Sequence, residues 1–305
     1  SNSLTSLDVS SNTALTDLDC QSNSLTSLNV KNGNNTTLYY FNAINNPDLY
    51  CIEVDDVAYS DTTWTNIDAT ASYDLDCYTS IPDPAFEQAL IDLGHDSGAI
   101  DGLVTTANIS SLTTLNVNNK GISSLIGIED FTALTTLFCS FNSLTSLDVS
   151  SNTALNLLTC NSNSLTSLDV SSNTALTTLW CDNNDLTSLD VSGNTDLTGL
   201  YCYSNSLPSL DVSSNTALTT LDCNSNSLPS LNVSSNTALT TLTCYSNSLP
   251  SLDVSSNTAL TELYCYSNSL TSLDVSSNTA LNALACNSNS LTSLNVKNGN
   301  NTTLY

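Results

Sequence analysis

The sequence predicts a mainly β solenoid, in which coils of 21 residues stack on one another and each coil carries two short strands. Three observations predict it. From Cys139 onward the cysteines fall at 139, 160, 181, 202, 223, 244, 265 and 286, a constant interval of 21 residues. Each interval divides into halves of 11 and 10 residues with one grammar, LxxLxVxxN and then LxxLxCxxN, as in Leu144, Leu147, Val149 and Asn152 followed by Leu155, Leu158, Cys160 and Asn163. Hydrophobic residues make up 40% of the chain, enough for a continuous core. No apolar run approaches the roughly 18 residues of a membrane span.

Each half holds a strand. In Leu147-Asp148-Val149 and Leu158-Thr159-Cys160 the apolar residues alternate with polar ones, so leucine, valine and cysteine face inward while Asp148 and Thr159 face out. The asparagine that follows, Asn152 or Asn163, is short and polar, suited to a tight turn and to bonding the backbone of neighbouring coils. Both corners should therefore carry an asparagine ladder. A single coil cannot bury its leucine face alone, so stacking is obligatory. With both halves extended, both sides should rise about 4.8 Å per coil, which predicts a nearly straight prism with little helix.

This pattern resembles the bacterial leucine-rich-repeat family, in the 21-residue class with nested periodicity of about ten residues. The resemblance covers residues 109–296 and again 4–30. A parallel β-helix would have a similar shape. The family implies an order of helical cap, coils and C-terminal cap, and two irregular segments fit it. Residues 78–108 form a junction and cap: Asp83 caps a helix whose first position is Pro84, Phe86, Leu90 and Leu93 share a face, and Gly94 ends it. This is the one short helix expected. Residues 31–77 form the other cap, with Asn45-Asn46-Pro47, a strand-like Tyr50 to Val54, and aromatic residues including Trp64. Lys120 stands where asparagine is expected, and Ile126-Gly127 adds a residue, so the early coils should be irregular.

Residues 267–305 repeat residues 1–39 with four differences, Thr16 against Asn282, Asp17 against Ala283, Asp19 against Ala285 and Gln21 against Asn287, at an offset of 266. The run KNGNNTTLY occurs only at 31–39 and 297–305. The expected organisation is 1–30 as the last coils of one domain, 31–77 its C-terminal cap, 78–108 the junction and next N-terminal cap, 109–296 the next solenoid, and 297–305 the start of a second C-terminal cap. Ser1 falls inside a repeat, so the chain is expected to be a window on a longer tandem array.

Charge narrows the partners. Against 29 acidic residues stand three lysines, Lys31, Lys120 and Lys297, and no arginine. A phosphate backbone would be repelled, which excludes nucleic acid.

The eight ladder cysteines read as small buried hydrophobes. In-register side chains point the same way, which disfavours disulfides between coils, and the lack of CxxC spacing with a single histidine, His95, disfavours zinc. Cys51 and Cys77 lie in the C-terminal cap and are candidates for a disulfide in an exported protein. A repeated prism gathers no nucleophile, base or carboxylate pair in one place, and the expectation is no enzyme and no cofactor.

The repeats also compare themselves. On the first strand the outward residues hardly change: Asp148, Asp169, Asp190, Asp211, Asp253 and Asp274 form an acidic ladder interrupted by Asn232. Like charges about 4.8 Å apart repel by roughly 1 kcal/mol per pair in water, so hydrated cations or serine hydroxyls must relieve them. Diffuse counterions and bound calcium are both open. On the second strand the positions flanking cysteine vary and are rich in aromatics, Phe138, Trp180, Tyr201, Tyr203, Tyr245, Tyr264 and Tyr266. Such rings suit carbohydrate stacking or a protein contact, or they stiffen an exposed sheet. Asp61-Thr62-Thr63 and Asn232-Val233-Ser234 fit short glycosylation signals. The expected function is a non-catalytic extracellular or cell-surface module for adhesion to a protein or glycan. The alternative is a subunit of an extracellular fibre that contacts copies of itself end to end.

Overall fold

The computed structural model describes residues 2–299, so residues 300–305, where most of the second C-terminal cap was expected to start, lie outside the described residues. The chain forms two compact units, Ser1–Thr79 with Thr105–Ala107, and Ser80–Val104 with Asn108–Tyr305.

In the first unit, strands Ser6–Asp8, Ser27–Asn29, Cys51–Glu53 and Ser72–Asp74 form a parallel sheet in that order, and Asp17–Asp19 pairs with Tyr40–Asn42. The asparagine turn persists into the cap: Asn46 is fully buried, accepts from Leu25 N at 3.1 Å and donates to Cys20 O and Ala43 O. Beyond it the pattern gives way to aromatics. Phe41 stacks on Trp64 at 4.8 Å, Tyr73 meets both edge-on, Trp64 Nε1 donates to Leu38 O, and the Tyr73 hydroxyl donates to Trp64 O. A disulfide joins Cys51 to Cys77. Helix Val57–Thr63 was not expected here. Its signal is Asp56, whose side chain caps the helix by accepting from Tyr59 N.

In the second unit, helix Pro84–Asp92 closes the first coil. Phe86 and Leu90 are fully buried, and Phe86 packs on Phe131 at 6.1 Å. Leu93, expected on the same face, is instead 42% exposed, because the helix ends there and the chain turns at Gly94 with φ +77°. The added residue at Ile126-Gly127 is taken up by Gly127, φ 100°, opening a 3₁₀ turn at Ile128–Asp130.

From there the second halves of the coils form a nine-stranded parallel sheet, from Thr114–Asn116 through Thr136–Phe138, Leu157–Thr159, Thr178–Trp180, Gly199–Tyr201, Thr220–Asp222, Thr241–Thr243 and Glu262–Tyr264 to Ala283–Ala285. Each residue pairs with its equivalent in the next coil, as Leu158 with Leu179 and Leu179 with Leu200. The first halves pair less extensively: Ser272–Asp274 pairs with Ser293–Asn295, and Asp148 meets Asp169 in an isolated bridge. Most of their leucines are nevertheless buried, Leu189 and Leu210 being 8% exposed where Leu179 and Leu200 are 0%, while Leu147 is half-buried and Leu294 is 45% exposed. Inside, one core runs from the helical cap to Leu281.

The corners are bonded coil to coil. Asn173 Nδ2 donates to Val149 O and Asn152 O, both at 2.9 Å, and Asn163 Nδ2 donates to Cys139 O and Cys160 O while its Oδ1 accepts from Leu144 N. Each asparagine thus answers backbone groups that the turn would otherwise leave buried and unpaired. Two residues after each ladder cysteine the chain takes a left-handed conformation, φ 55° at Ser162 and 50° at Ser204. Asparagine, as at Asn183, tolerates this better than most residues, and a β-branched or bulky side chain tolerates it least.

Candidate functional site

Along the second-strand sheet two columns flank the cysteines, the first half-exposed and the second buried at Ser140, Asn161, Asp182 and Asn224. The column before cysteine reads Phe138, Thr159, Trp180, Tyr201, Asp222, Thr243, Tyr264, Ala285, and the column after it reads Ser140, Asn161, Asp182, Tyr203, Asn224, Tyr245, Tyr266, Asn287. Parallel register places the members of a column on adjacent strands, so rings can stack. Trp180 lies on Tyr201 with centroids 4.2 Å apart and planes 30° apart. Gly199 makes room for this pair, since a Cβ there would stand 3.3 Å from the Tyr201 ring. Tyr245 and Tyr266 stack at 4.2 Å and 9°. Tyr264 donates from its hydroxyl to Glu262 at 3.4 Å. The aromatic residues read from the sequence therefore divide into two groups, Phe138, Trp180, Tyr201 and Tyr203, and then Tyr245, Tyr264 and Tyr266, with Asp222 and Thr243 between. Trp180 is 36% exposed and the others are half-buried.

A groove of about 510 Å³ opens in the first group. Phe138, Phe141, Trp180 and Tyr203 wall it, Leu157 and Thr159 lie between, and Asn118, Ser140 and Asn161 supply polar atoms. Those polar atoms are largely spent on one another. Ser140 N donates to Asn118 Oδ1, and the Ser140 hydroxyl bonds Thr159 Oγ1 and Asn161 Oδ1.

Sequence reasoning missed Phe141, Leu157 and Asp182. Phe141 is 59% exposed and adopts φ 57°, at the left-handed step where other coils carry Ser162, Asn183, Ser204, Ser225, Ser246, Ser267 and Ser288. Leu157 faces outward in a column that holds Thr136, Thr178, Thr220 and Thr241. Reading every column for its departures, rather than only those flanking cysteine, would have found both.

Asp182 is fully buried. Asn183 Nδ2 donates to its Oδ2 at 2.7 Å, while Oδ1 is buried without a hydrogen-bond partner. Burial raises its pKa, partly countered by Tyr203 and Asn183. Burial and the neighbouring Asp182 carboxylate push the Tyr203 phenol up to about 12. Asp222 is likewise raised by burial, against hydrogen bonds from Asn224.

The acidic ladder behaves oppositely. Asp148, Asp169, Asp190, Asp211, Asp253 and Asp274 are exposed, and each accepts the backbone N–H of the serine two residues on, at 2.8–2.9 Å. Asp169 is held below the usual carboxylate range by the Ser171 side chain and backbone, which outweigh the opposing charges of Asp148 and Asp190. Serine thus relieves the column. A trough of about 770 Å³ runs along it, walled by Ser167, Asp169, Ser188, Asp190, Ser209 and Asp211. Among the described residues no three His, Cys, Asp or Glu side chains converge as a metal site would require.

Cys139 to Cys265 point into the core and are free and buried, with Cys286 partly exposed. Burial raises every thiol, that of Cys160 to about 12. No helix of the described residues is long and apolar enough to cross a membrane.

No family model matches the sequence. A 49-residue stretch, 16% of the chain and 5% of the relative, is 46% identical to Internalin J of Listeria monocytogenes serotype 4b (strain F2365). Among solved structures, the functional domain of InlJ from Listeria monocytogenes, which includes a cysteine ladder, is similar over 72% of this chain and 54% of that one, with 38% identity and a TM-score of 0.59. The chain thus spans about half of that domain. Internalin C2 of Listeria monocytogenes strain 4b F2365 superposes over 70% of this chain and 94% of its own, at 23% identity and a TM-score of 0.60. The Leptospira interrogans LRR protein LIC12759 does so over 65% and 66%, at 21% and 0.52. These last two share the fold. With its 21-residue coils, two asparagine ladders and column of inward cysteines, the chain belongs to the bacterial leucine-rich-repeat family.

Proposed function

We propose that this chain is a non-catalytic module of an extracellular or cell-surface protein, and that it binds a partner through the aromatic face of its nine-stranded sheet. One observation carries the reading. The outward positions of the first strand repeat serine and aspartate coil after coil, whereas those of the second strand vary and collect large rings that the fold does not need. Rigid aromatic area with polar tips is what protein and glycan contacts use. The likeness to the InlJ functional domain supports it. Replacing Tyr201, Tyr203, Tyr264 and Tyr266 with serine tests it: adhesion of the labelled chain to cultured cells and to immobilised glycans should be lost while the circular dichroism spectrum is kept. Unchanged adhesion would leave the face without a role.

A second reading rests on the 266-residue offset between residues 1–39 and 267–305. It favours a parent protein of several such units in line, acting as a stalk or fibre, with end-to-end contact between copies as its non-covalent form. Electron microscopy and the intact mass of native material separate a string of units from a single one. On either reading the acidic ladder gathers cations, calcium among them, as a diffuse atmosphere. Calcium titration at constant ionic strength checks this: a saturable stoichiometric site would contradict it.

A further inference from the structure

Two departures from the repeat meet in one part of the sheet. Phe141 holds a left-handed conformation that costs a bulky residue more than the serine found in its place six times downstream, and it keeps 59% of its surface in water. Asp182 stands in a column whose other members include Ser140, Asn161, Asn224 and Asn287, all neutral, so the fold asks for no charge there. Asn161 and Tyr203, its neighbours on the adjoining strands, both line the groove.

A buried carboxylate destabilises a protein unless a cation lies close to it or hydrogen bonds satisfy both of its oxygens, and Asp182 Oδ1 has no such bond. Among the described residues no cation lies close to it. Lys31 pairs with Asp76 in the first unit and Lys120 with Asp92 at the helical cap, each at about 3 Å. Lys297 follows the final coil. The sheet presents Asp182, Asp222 and Glu262 and no basic side chain.

Resting on the reading of this face as a binding surface, we infer that the groove between Phe141 and Trp180 receives a basic side chain, arginine or lysine, from a protein partner. The faces of Phe138, Phe141, Trp180 and Tyr203 attract a cation through their quadrupoles. Asp182, between Asn161 and Tyr203 of the groove wall, adds negative charge beside the rings when it is ionised. The excess of 29 acidic residues over three lysines steers such a partner in from a distance. A sugar fits less well: the Ser140 and Thr159 hydroxyls and the Asn161 carbonyl, which would read its hydroxyl groups, already bond one another. Burial raises the Asp182 pKa, and a cation seated in the groove should lower it again.

The test uses the full chain in 150 mM salt and follows the methyl resonances of Leu157 and Thr159 together with Trp180 fluorescence. The probes are N-acetyl-arginine amide, its neutral isostere N-acetyl-citrulline amide, and a methyl galactoside. The arginine probe should shift the Leu157 and Trp180 signals saturably, in the millimolar range expected of a fragment, and the citrulline probe should bind at least tenfold more weakly. Phe141→Ser and Asp182→Asn should each weaken the arginine probe about tenfold or more. Both variants carry residues that neighbouring coils use at the same step, so both should fold. Tyr245→Ser, in the other aromatic group, should leave it unchanged. Equal affinity for citrulline, an unaffected Asp182→Asn variant, or a saturable response to the galactoside alone would overturn the inference. Should the four-tyrosine variant lose adhesion while the arginine probe stays silent, the inference falls and the broader reading stands.

Discussion

Asp83 and Ser123, 40 residues apart in sequence, are joined by two hydrogen bonds: Asp83 Oδ2 accepts from the Ser123 N–H at 2.8 Å and from its hydroxyl at 2.6 Å. The same oxygen accepts from Ser124 N, and Oδ1 caps the helix by accepting from Ala85 N and Phe86 N. One carboxylate therefore fixes the helical cap to the first coils. Asp83→Ala should destabilise the protein by about 3 kcal/mol in urea unfolding, the sum of a lost N-cap and lost bonds to a charged acceptor. Ser123→Ala should cost about a third of that. Despite burial, which raises it, the Asp83 pKa is lowered overall by these donors. Its contribution is present above the unfolded pKa and is lost as pH falls through the lower folded one.

The two sets of aspartates should respond to acid in opposite senses. The ladder residues Asp148, Asp169, Asp190, Asp211, Asp253 and Asp274 have lowered pKa values, so they stabilise the fold near neutrality and cease to as pH drops below the normal carboxylate range. Asp182 and Asp222 have raised values, so the folded state holds their protons more tightly and gains stability as pH falls through that raised range. Asp182→Asn should raise the melting temperature at pH 7 and flatten its dependence between pH 7 and the normal carboxylate range. An unaltered pH profile would contradict this.

Asp211→Asn should leave the melting temperature unchanged, because Asn232 in the next coil makes the same bond, its Oδ1 accepting from Ser234 N at 3.0 Å. Asp211→Ala should lower it. Differential scanning calorimetry of the pair separates the hydrogen bond from the charge.

The thiols of Cys139 to Cys265 should resist Ellman's reagent at pH 8 until the chain is unfolded, because they are buried and their pKa values raised. Cys286, partly exposed, should react first. Fast labelling of six or more thiols in the native protein would show that the coils open readily.

The stacked pair Tyr245 and Tyr266 should show a coupling energy of about 1 kcal/mol in a double-mutant cycle to serine. Additive effects would mean that the stack does no more than bury area.

Period and spacing were enough to read the coils, the inward cysteines, both asparagine corners and the cap helix behind Asp83, because each rests on a local rule that repetition then multiplies. Helix Val57–Thr63 escaped, since seven residues and one capping aspartate leave little periodic signal against aromatic neighbours. The end of the cap helix was read one residue too generously, at Leu93. In the candidate site the rings were legible as residue types but not as stacks, since how Trp180 and Tyr201 lie on each other is set by the packing around them, a Cβ at Gly199 coming within 3.3 Å of the Tyr201 ring. Asp182 looked like one more polar residue among asparagines. Only its burial reveals the unpaired charge.

The nine-stranded sheet joins each coil to the next by bonds that lie along the stacking direction. A force applied along that direction loads one rung at a time, so the second unit should open as a zip does, from an end, rather than resisting in parallel as sheared strands do. Each released coil of 21 residues would lengthen the chain by roughly 65 Å, its extended length less the rise it occupied when stacked. Such a series of equal yielding steps would dissipate a sudden pull coil by coil before it passed to the rest of the chain.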